Sequence, residues 1–281
     1  MSIHILGYGP ITAHLSKALS PSFEVFVYSE ILQRKDLPVL SYSNLIPLEL
    51  DSNDIIVLAW RGMPPSDSPK EKILKILSEK MTKDHRLINL SSVSVYGNTA
   101  SPASEDHPIS TINSYGAGKR SLEEYCDLNL DTTVYHLRIS NVFGDIAFDD
   151  IVNRMLRSQK NGNALSLAEP AKITRDFISI ETLVSAIKEI IADVRSSQNI
   201  EVLNISSGES ITLHALMEIV RSINGDSLNY IETTALKNSI YTSLISNEKI
   251  RNRYSTLQFS EVSNLKKYVS NFEKLKHKQF L

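Results

Sequence analysis

The sequence predicts an α/β fold, a doubly wound parallel sheet followed by a small C-terminal lobe, and two observations carry that prediction. Short apolar runs alternate with amphipathic segments through the first half of the 281-residue chain, a pattern typical of parallel strands joined by crossover helices. Further along the chain this order changes, and short strands mix with helices. We therefore expect a first domain over residues 1–145 and a second lobe over residues 146–281, with some later elements returning to the first sheet.

The first half alternates strand and helix in order. An apolar run over residues 2–6 is followed by ITAHLSKAL, in which Ile11, Leu15 and Leu19 recur at helical spacing. Pro10 suits the first helical position, since it has no N–H to lose there. Further strands are predicted in FEVFVYS, DIIVLAW, HRLINLSS and TTVYHLRIS, and further helices in SPKEKILKILSEKM and over residues 116–129.

The second half is less regular. We expect helices near residues 151–159, 181–194 and 212–223, a strand in EVLNIS, and a short segment ALSLAEPAKITRDFISI between the first two helices. The final forty residues are predicted to form two short helical pieces, because they contain no glycine and only short apolar stripes.

Composition limits the partners and the compartment. The formal net charge of -2 gives no overall basic field, so we expect no nucleic-acid partner. Cys126 is the only cysteine, which excludes an internal disulfide and fits a reducing compartment. The seven histidines show no ligand spacing, and no apolar run approaches the roughly 20 residues that cross a bilayer. We expect a soluble cytoplasmic protein with no metal and no membrane partner.

A glycine pair follows the first predicted strand directly. Gly7-Tyr8-Gly9 precedes a helix that starts at Pro10 and Ile11, the context that a dinucleotide phosphate needs. The first glycine permits a tight turn, and the second lets a pyrophosphate approach the backbone. The third glycine of the usual pattern is absent, with small Thr12 or Ala13 at its place according to register. The glycine pair therefore predicts a Rossmann-like domain that binds NAD or NADP, with an ordinary strand-to-helix turn as the alternative.

The choice between the two cofactors is left open by the residues after the second strand. Glu30 is the acidic candidate for the ribose hydroxyls, about 20 residues beyond the glycines. Arg34 and Lys35 follow it and would instead favour a 2′-phosphate. Ala59, at the end of DIIVLAW, completes the set of cofactor-binding candidates.

Tyr115 and Lys119 stand four residues apart at the start of a predicted helix. Residues i and i+4 share one helix face, so the ammonium can lie near the phenol. A nearby cation lowers the pKa of a phenol, which is otherwise about 10. The pair alone is also compatible with an ordinary exposed helix surface.

Several stretches together resemble one family. LSSVSVYGN, SYGAGK, LRISNVFG, TRDFISIETLVSAI and LNISSGESITL follow one another in the order and approximate spacing seen in the extended short-chain dehydrogenases/reductases. More narrowly, the chain is similar to the NAD-dependent epimerase/dehydratase group that acts on nucleotide sugars. The resemblance extends from Ile3 to about Leu216.

The resemblance implies roles for named residues. Ser92, Tyr115 and Lys119 match the family's catalytic set, in which tyrosine is the acid/base, serine hydrogen-bonds the same sugar oxygen, and lysine favours the phenolate. Tyr115 and Lys119 would also contact the cofactor. Asn141 and Arg175, with Ser92, match residues that contact the nucleotide-sugar substrate, the arginine at its diphosphate. An ion pair between Arg175 and Asp176 is the alternative.

Departures from the family narrow the expected reaction. The dehydratases of the family carry an Asp-Glu pair directly after the catalytic residue, where this chain has Val93 and Ser94, so dehydration is disfavoured. A nucleotide-sugar 4-ketoreductase or 4-epimerase remains, with a non-catalytic NAD(P)-binding sensor or scaffold as the alternative. The resemblance also implies a homodimer, with Leu122, Tyr125 and the apolar face of SPKEKILKILSEKM between subunits.

Overall fold

The computed structural model describes residues 1–30, 39–44, 50–193, 199–225, 228–234 and 237–278. The strands are β1 (Ser2–Leu6), β2 (Glu24–Tyr28), β3 (Val39–Leu40), β4 (Ile55–Leu58), β5 (Arg86–Ser92), β6 (Thr133–Ile139), β7 (Asn141–Phe143), β8 (Leu165–Ala168), β9 (Thr174–Ser179), β10 (Ile200–Ile205), β11 (Ser210–Thr212) and β12 (Tyr230–Thr233). The helices are α1 (Pro10–Leu19), α2 (Pro69–Lys80), α3 (Ser114–Asn129), α4 (Ile151–Asn161), α5 (Ile180–Ala192), α6 (Leu213–Asn224), α7 (Glu248–Arg253) and α8 (Glu261–Lys278).

The main sheet has seven strands in the order β10-β6-β5-β4-β1-β2-β3. The pairs β1–β2, β1–β4, β2–β3 and β4–β5 are parallel. Strand order therefore grows in one direction from β1 to β3 and in the other from β1 to β10, which is the doubly wound arrangement. The predicted fold class is confirmed. Ligands of such sheets bind outside the carboxyl ends of the strands, where the order reverses, and that point is the end of β1.

One compact unit contains this sheet and comprises residues 1–95, 114–138 and 186–203. Its apolar side chains are buried because β1, β4 and β5 are covered by α2 and α3. Leu122 on α3 and Ile73, Leu74 and Leu77 on α2 are 0–2 % exposed within the single chain. For these four side chains the expectation of a place between subunits is therefore wrong, since this core already buries them. The place of half-buried Tyr125 between subunits and the homodimer itself stay predictions.

The second compact unit comprises residues 96–113, 139–185 and 204–281. It contains a three-stranded sheet, β11-β9-β7, and a two-stranded sheet, β12-β8. Helices α4, α6 and α8 pack their apolar residues around one core that includes Phe143 and Phe177. The segment ALSLAEPAKITRDFISI, to which the sequence assigns no element, contains two strands, and α8 is an 18-residue helix rather than a short piece.

The described part of the chain has no helix that is both long and apolar enough to cross a membrane. Among the same residues, no group of three or more His, Cys, Asp or Glu side chains is placed to hold a metal ion. Cys126 is buried in the core of the first unit, and burial raises the pKa of its thiol. The assignment of residues 1–145 to a cofactor and residues 146–281 to a substrate concerns function and stays a prediction.

Candidate active site

The turn between β1 and α1 accepts only glycine at its first position. Gly7 has a φ of +114°, and its N–H donates to the carbonyl oxygen of Tyr28 at 2.8 Å. A Cβ atom on Gly7 would lie 2.8 Å from the carbonyl oxygen of Ala59 and 3.2 Å from Cδ1 of Trp60. The backbone must therefore pass close to the end of β4, and this brings the predicted cofactor residues Gly7 and Ala59 together.

The second half of the same turn is open. A Cβ atom on Gly9 would meet no other atom within 4 Å, so there is free space in front of the first turn of α1. Pro10 occupies the first helical position as predicted. The N–H groups that open an α-helix have no carbonyl partner one turn earlier in the helix. Free space at a helix N-terminus therefore fits the pyrophosphate of a dinucleotide. Tyr8 lies between the two glycines of this turn.

Thr12, at the place of the third glycine, closes the turn with its hydroxyl group. Its Oγ1 accepts from the Gly9 N–H at 2.8 Å and donates to the Gly9 carbonyl oxygen at 2.9 Å. The side chain is only 2 % exposed, which agrees with the small residue that helix packing requires at this position. The Thr12 hydroxyl therefore stabilises the turn through two hydrogen bonds that a glycine at this position could not make.

Glu30 lies shortly after β2, as predicted for an acid that contacts a ribose. Its carboxylate accepts from Lys70 Nζ at 3.1 Å, with both side chains partly exposed. An exposed pair of this kind contributes about 0–1 kcal/mol, so a ligand hydroxyl can compete with it. Arg34 and Lys35 lie outside the described residues.

Lys119 is buried, with 4 % of its surface exposed. Its Nζ donates to the carbonyl oxygens of Trp60 and Leu90, both at 2.5 Å, which attaches α3 to the carboxyl end of β4 and to β5. Burial lowers the pKa of Lys119 to about 8, against the opposing effect of Glu123. The ammonium lies 5.8 Å from the centroid of the Tyr115 ring, one helical turn away.

Tyr115 is 40 % exposed, in contrast to the lysine on the same helix face. Partial burial of the phenol raises the pKa of Tyr115, while hydrogen bonding to Ser92 and the charge of Arg61 lower it. Ser92 itself donates to Ser94 Oγ at 3.1 Å and accepts from the Ser94 N–H at 3.2 Å. The three residues predicted as catalytic thus lie together, with an accessible phenol beside a serine hydroxyl and a fixed cation.

Ser91 and Arg138 have a structural role, because both bind the buried carboxylate of Glu123. Ser91 donates to Glu123 at 2.5 Å, and Arg138 donates to both carboxylate oxygens of Glu123 at 3.1 and 2.9 Å. Glu123 is fully buried, and these partners hold its pKa below the ordinary value despite burial. Arg120 adds a bond to the same carboxylate at 3.2 Å. This network holds α3 in place beneath Tyr115 and Lys119.

The predicted substrate residues Asn141 and Arg175 lie in the second unit, on one small sheet. Asn141 on β7 pairs with Phe177 on β9, and Arg175 is two residues before Phe177, so the two side chains leave the same face as diagonal neighbours. Asn141 Nδ2 donates to the carbonyl oxygen of Asp176 at 2.9 Å. Arg175 donates to the carbonyl oxygen of Thr174 at 2.7 Å.

Arg175 forms no ion pair with any described carboxylate, and burial lowers its pKa. The alternative partner, Asp176, is fully buried and accepts instead from Ser207 N–H, Ser207 Oγ and the Gly208 N–H, each at 2.9 Å. Burial raises the pKa of Asp176 to about 6, although these bonds lower it. Asp176 therefore anchors the loop at Ser207, and the guanidinium of Arg175 remains available to an anion.

Three residues near the catalytic set were not identified from the sequence. Arg61 follows β4, and its charge acts on both Tyr115 and Lys119. Gly62 and Gly118 bring two backbone segments together there, since a Cβ on Gly62 would lie 2.8 Å from the Gly118 carbonyl carbon. No periodic pattern marks any of them, because the contact joins residues that are far apart in the chain.

The chain is similar to one protein family and to a curated reductase. Residues 70–206 match the NAD dependent epimerase/dehydratase family. A dTDP-4-dehydro-6-deoxyglucose reductase from Escherichia coli is 31% identical over 133 residues, which cover 45% of this chain and 41% of that protein. The matched region therefore spans less than half the length of this curated relative.

Solved structures resemble the chain over almost its whole length. MoeE5 in complex with UDP-glucuronic acid and NAD gives a TM-score of 0.82 at 17% identity, covering 98% of this chain and 99% of that one. UDP-glucose 4-epimerase from Thermus thermophilus in complex with NAD gives a TM-score of 0.81 at 14% identity, covering 97% and 99%. At such identities the similarity establishes the fold.

Proposed function

Because residues 70–206 match the NAD dependent epimerase/dehydratase family, we propose that this chain is a nicotinamide-dependent oxidoreductase acting on a nucleotide sugar. The single observation that carries the proposal is the arrangement of Ser92, Tyr115 and Lys119. The phenol is accessible, the serine hydroxyl lies beside it, and the lysine is fixed by two carbonyl oxygens. A purely structural helix has no need for this combination.

In the proposed reaction, Tyr115 transfers a proton to or from an oxygen of the sugar. During reduction of a keto sugar, the bound reduced nicotinamide supplies the hydride that adds to the carbonyl carbon. The Tyr115 hydroxyl gives its proton to the carbonyl oxygen, so that an alcohol and a phenolate result, and the phenolate then takes a proton from water. Ser92 donates a hydrogen bond to the same oxygen, and Lys119 stabilises the phenolate electrostatically.

We assign the cofactor to the turn after β1. The open space at Gly9 and the N–H groups at the start of α1, including that of Ile11, would take the pyrophosphate, and Gly7 and Ala59 shape the wall beside it. Glu30 would accept hydrogen bonds from the adenosine ribose after release from Lys70, which favours NAD over NADP. The complexes of similar fold also contain NAD.

We assign the diphosphate of the substrate to Arg175 and a neighbouring polar contact to Asn141. The planar guanidinium carries two parallel donors that match two phosphate oxygens, and no described carboxylate competes for it. The half-buried position strengthens such a contact, because less water screens the charge.

Among possible reactions, reduction of a 4-keto-6-deoxy sugar has the most support. The curated relative is a reductase of such a sugar nucleotide, and its match includes less than half of each chain. Epimerisation at C4 is the second candidate, because a UDP-glucose 4-epimerase shares the fold over almost the whole chain. Dehydration is not proposed, since Val93 and Ser94 offer no acid or base beside Ser92.

A binding titration followed by a substrate panel tests the proposal. Trp60 is the only tryptophan and lies next to Gly7, so energy transfer from its indole to a reduced nicotinamide reports occupancy of the proposed site. We expect NADH to bind more tightly than NADPH. Reduction of dTDP-4-keto-6-deoxyglucose with consumption of NADH supports the reductase, and interconversion of UDP-glucose and UDP-galactose without net consumption supports the epimerase.

Other results contradict the proposal. If neither NADH nor NADPH binds, both the enzyme and the nicotinamide-binding sensor are excluded. If NADH binds and no nucleotide sugar reacts, the non-catalytic sensor or scaffold becomes the better explanation. The oligomeric state is tested separately by sedimentation, where a dimer is expected.

A further inference from the structure

The segment from Trp60 to Met63 is attached to α3 at two points. The carbonyl oxygen of Trp60 accepts from Lys119 Nζ at 2.5 Å, and the Met63 N–H donates to the carbonyl oxygen of Gly118 at 2.9 Å. Arg61 lies between these two attachments. Its backbone is therefore held against the helical turn that joins Tyr115 to Lys119.

The absence of a side chain at position 62 allows this close contact. A Cβ on Gly62 would lie 2.8 Å from the carbonyl carbon of Gly118 and 3.0 Å from its Cα. Both atoms belong to the backbone and cannot move aside cheaply, so any larger residue at position 62 would displace the segment. The backbone position of Arg61 relative to α3 is thus set by contacts of the neighbouring residues Trp60, Gly62 and Met63.

The polar groups around Tyr115, two of them charged, come from three elements. Lys119 is on α3 itself, Arg61 follows β4, and the uncharged hydroxyl of Ser92 is at the end of β5. The nearest buried carboxylate on α3, Glu123, is occupied by Arg138 and Arg120. Arg61 is exposed and forms no ion pair with a described carboxylate, so its charge is not compensated by an acid of its own.

The two cations differ in one property that matters for chemistry. Lys119 has a pKa of about 8 and loses its charge in mildly alkaline solution. A guanidinium keeps its charge throughout the range in which proteins are stable, because its pKa exceeds about 12. Above pH 8, a cation near Tyr115 therefore has to come from the arginine.

We propose that Arg61 is a positioning residue of the catalytic set, a permanent cation held beside α3 that acts through Tyr115 and favours its phenolate. The proposal rests on the proposed function of Tyr115 as the acid/base. Lys119 anchors the helix and supplies a charge that depends on pH, whereas Arg61 supplies one that does not. Both charges stabilise the deprotonated phenol that remains after proton transfer to the sugar oxygen.

The test measures the titration of Tyr115 and Lys119 directly, without substrate. Full-length protein is prepared with isotope-labelled tyrosine and lysine, and Tyr115→Phe and Lys119→Met assign the two resonances. In Arg61→Gln we expect the pKa of Tyr115 to rise and that of Lys119 to rise by about half a unit, the effect of one exposed cation acting through partly hydrated protein. Arg61→Lys should keep most of the wild-type behaviour.

Two further variants separate this effect from nonspecific causes. Lys83→Gln removes an exposed cation at the opposite end of the sheet, before β5, and should leave both titrations unchanged. Gly62→Ala should shift them in the same direction as Arg61→Gln, because it displaces the segment. Added salt should reduce the difference between wild type and Arg61→Gln, since the arginine is exposed.

The outcomes are distinct. Unchanged titrations in Arg61→Gln overturn the proposal, and so does an equal shift in Lys83→Gln. A loss of NADH binding in Arg61→Gln with unchanged titrations also overturns it and identifies a phosphate ligand instead. Since no turnover is measured, a shift in Arg61→Gln stands even if the substrate panel fails, so failure of the proposed function is distinguishable from failure of this inference.

Discussion

At the scale of single residues, Tyr115 and Lys119 share a helix face and yet have opposite environments. The phenol is accessible to a ligand, whereas the ammonium is enclosed and bonded to two backbone carbonyls. This contrast fits two different roles, in which Tyr115 exchanges a proton and Lys119 stays fixed. The sequence spacing predicts that the two are neighbours, but it carries no information on the carbonyl partners, which come from distant strands.

The burial of Lys119 should appear in the pH dependence of stability. Its pKa falls from 10.5 to about 8 on folding, so between these values the unfolded state binds more protons and the free energy of unfolding rises with pH. Below pH 8 the full penalty, about 3 kcal/mol, is present. In Lys119→Met, urea unfolding from pH 8 to 10 should lack this rise relative to wild type. Parallel curves for the two proteins would contradict the buried, depressed titration.

Arg175 should affect the substrate and not the cofactor. In Arg175→Gln we expect the KM for the nucleotide sugar to increase roughly 10- to 100-fold, because one or two charge-assisted hydrogen bonds of about 1.5–3 kcal/mol in total are lost. Arg175→Lys should recover part of the loss, and the exposed Arg154→Gln on α4 should resemble wild type. Equal loss of NADH affinity in Arg175→Gln would argue against a diphosphate contact.

At the scale of elements, the β1–α1 turn shows how a missing glycine is replaced. The Thr12 hydroxyl makes two hydrogen bonds to Gly9, so Thr12→Val should remove both bonds and reduce the free energy of unfolding by about 1–3 kcal/mol. Thr12→Ser keeps the hydroxyl and should retain most of that stability. Urea unfolding measures the stability of the two variants, and NADH titration by Trp60 fluorescence measures cofactor binding at the turn. Wild-type stability in Thr12→Val would show that the two bonds are dispensable.

The elements of the main sheet are predictable from the sequence, whereas those of the second unit are only partly so. Strands β1, β4, β5 and β6 are apolar runs buried on both faces, which is a strong local signal. Strands β7 and β11 have three residues each, too few to show any periodicity. Polar residues inside β9, such as buried Asp176, obscure its pattern because only tertiary partners satisfy them.

The candidate active site is likewise only partly predictable from the sequence. Family resemblance identifies Ser92, Tyr115 and Lys119, which lie together in the structure. It does not identify Arg61, whose relevance depends on a backbone contact between Gly62 and Gly118. Arg61 lies outside the stretches that carry the family resemblance, so the resemblance gives no information about it.

At the scale of the whole molecule, the two compact units interleave along the chain. The matched family segment, residues 70–206, contains the catalytic set with Asn141 and Arg175, whereas the glycine turn lies before it. The proposed function therefore combines a glycine turn, identified by its local geometry, with a catalytic set that lies inside the segment matched by the family model. Its central claim is that Tyr115 exchanges the proton that accompanies hydride transfer.

The most direct test is a single-turnover measurement of hydride transfer in Tyr115→Phe. The protein is loaded with NADH and mixed with a nucleotide 4-keto sugar, and the loss of reduced-nicotinamide absorbance is followed. We predict a rate at least about 100-fold below wild type with unchanged NADH affinity, since only the proton donor is removed. The control Tyr125→Phe, which removes a hydroxyl from the same helix, should retain the wild-type rate. Hydride transfer at the wild-type rate in Tyr115→Phe would contradict the account.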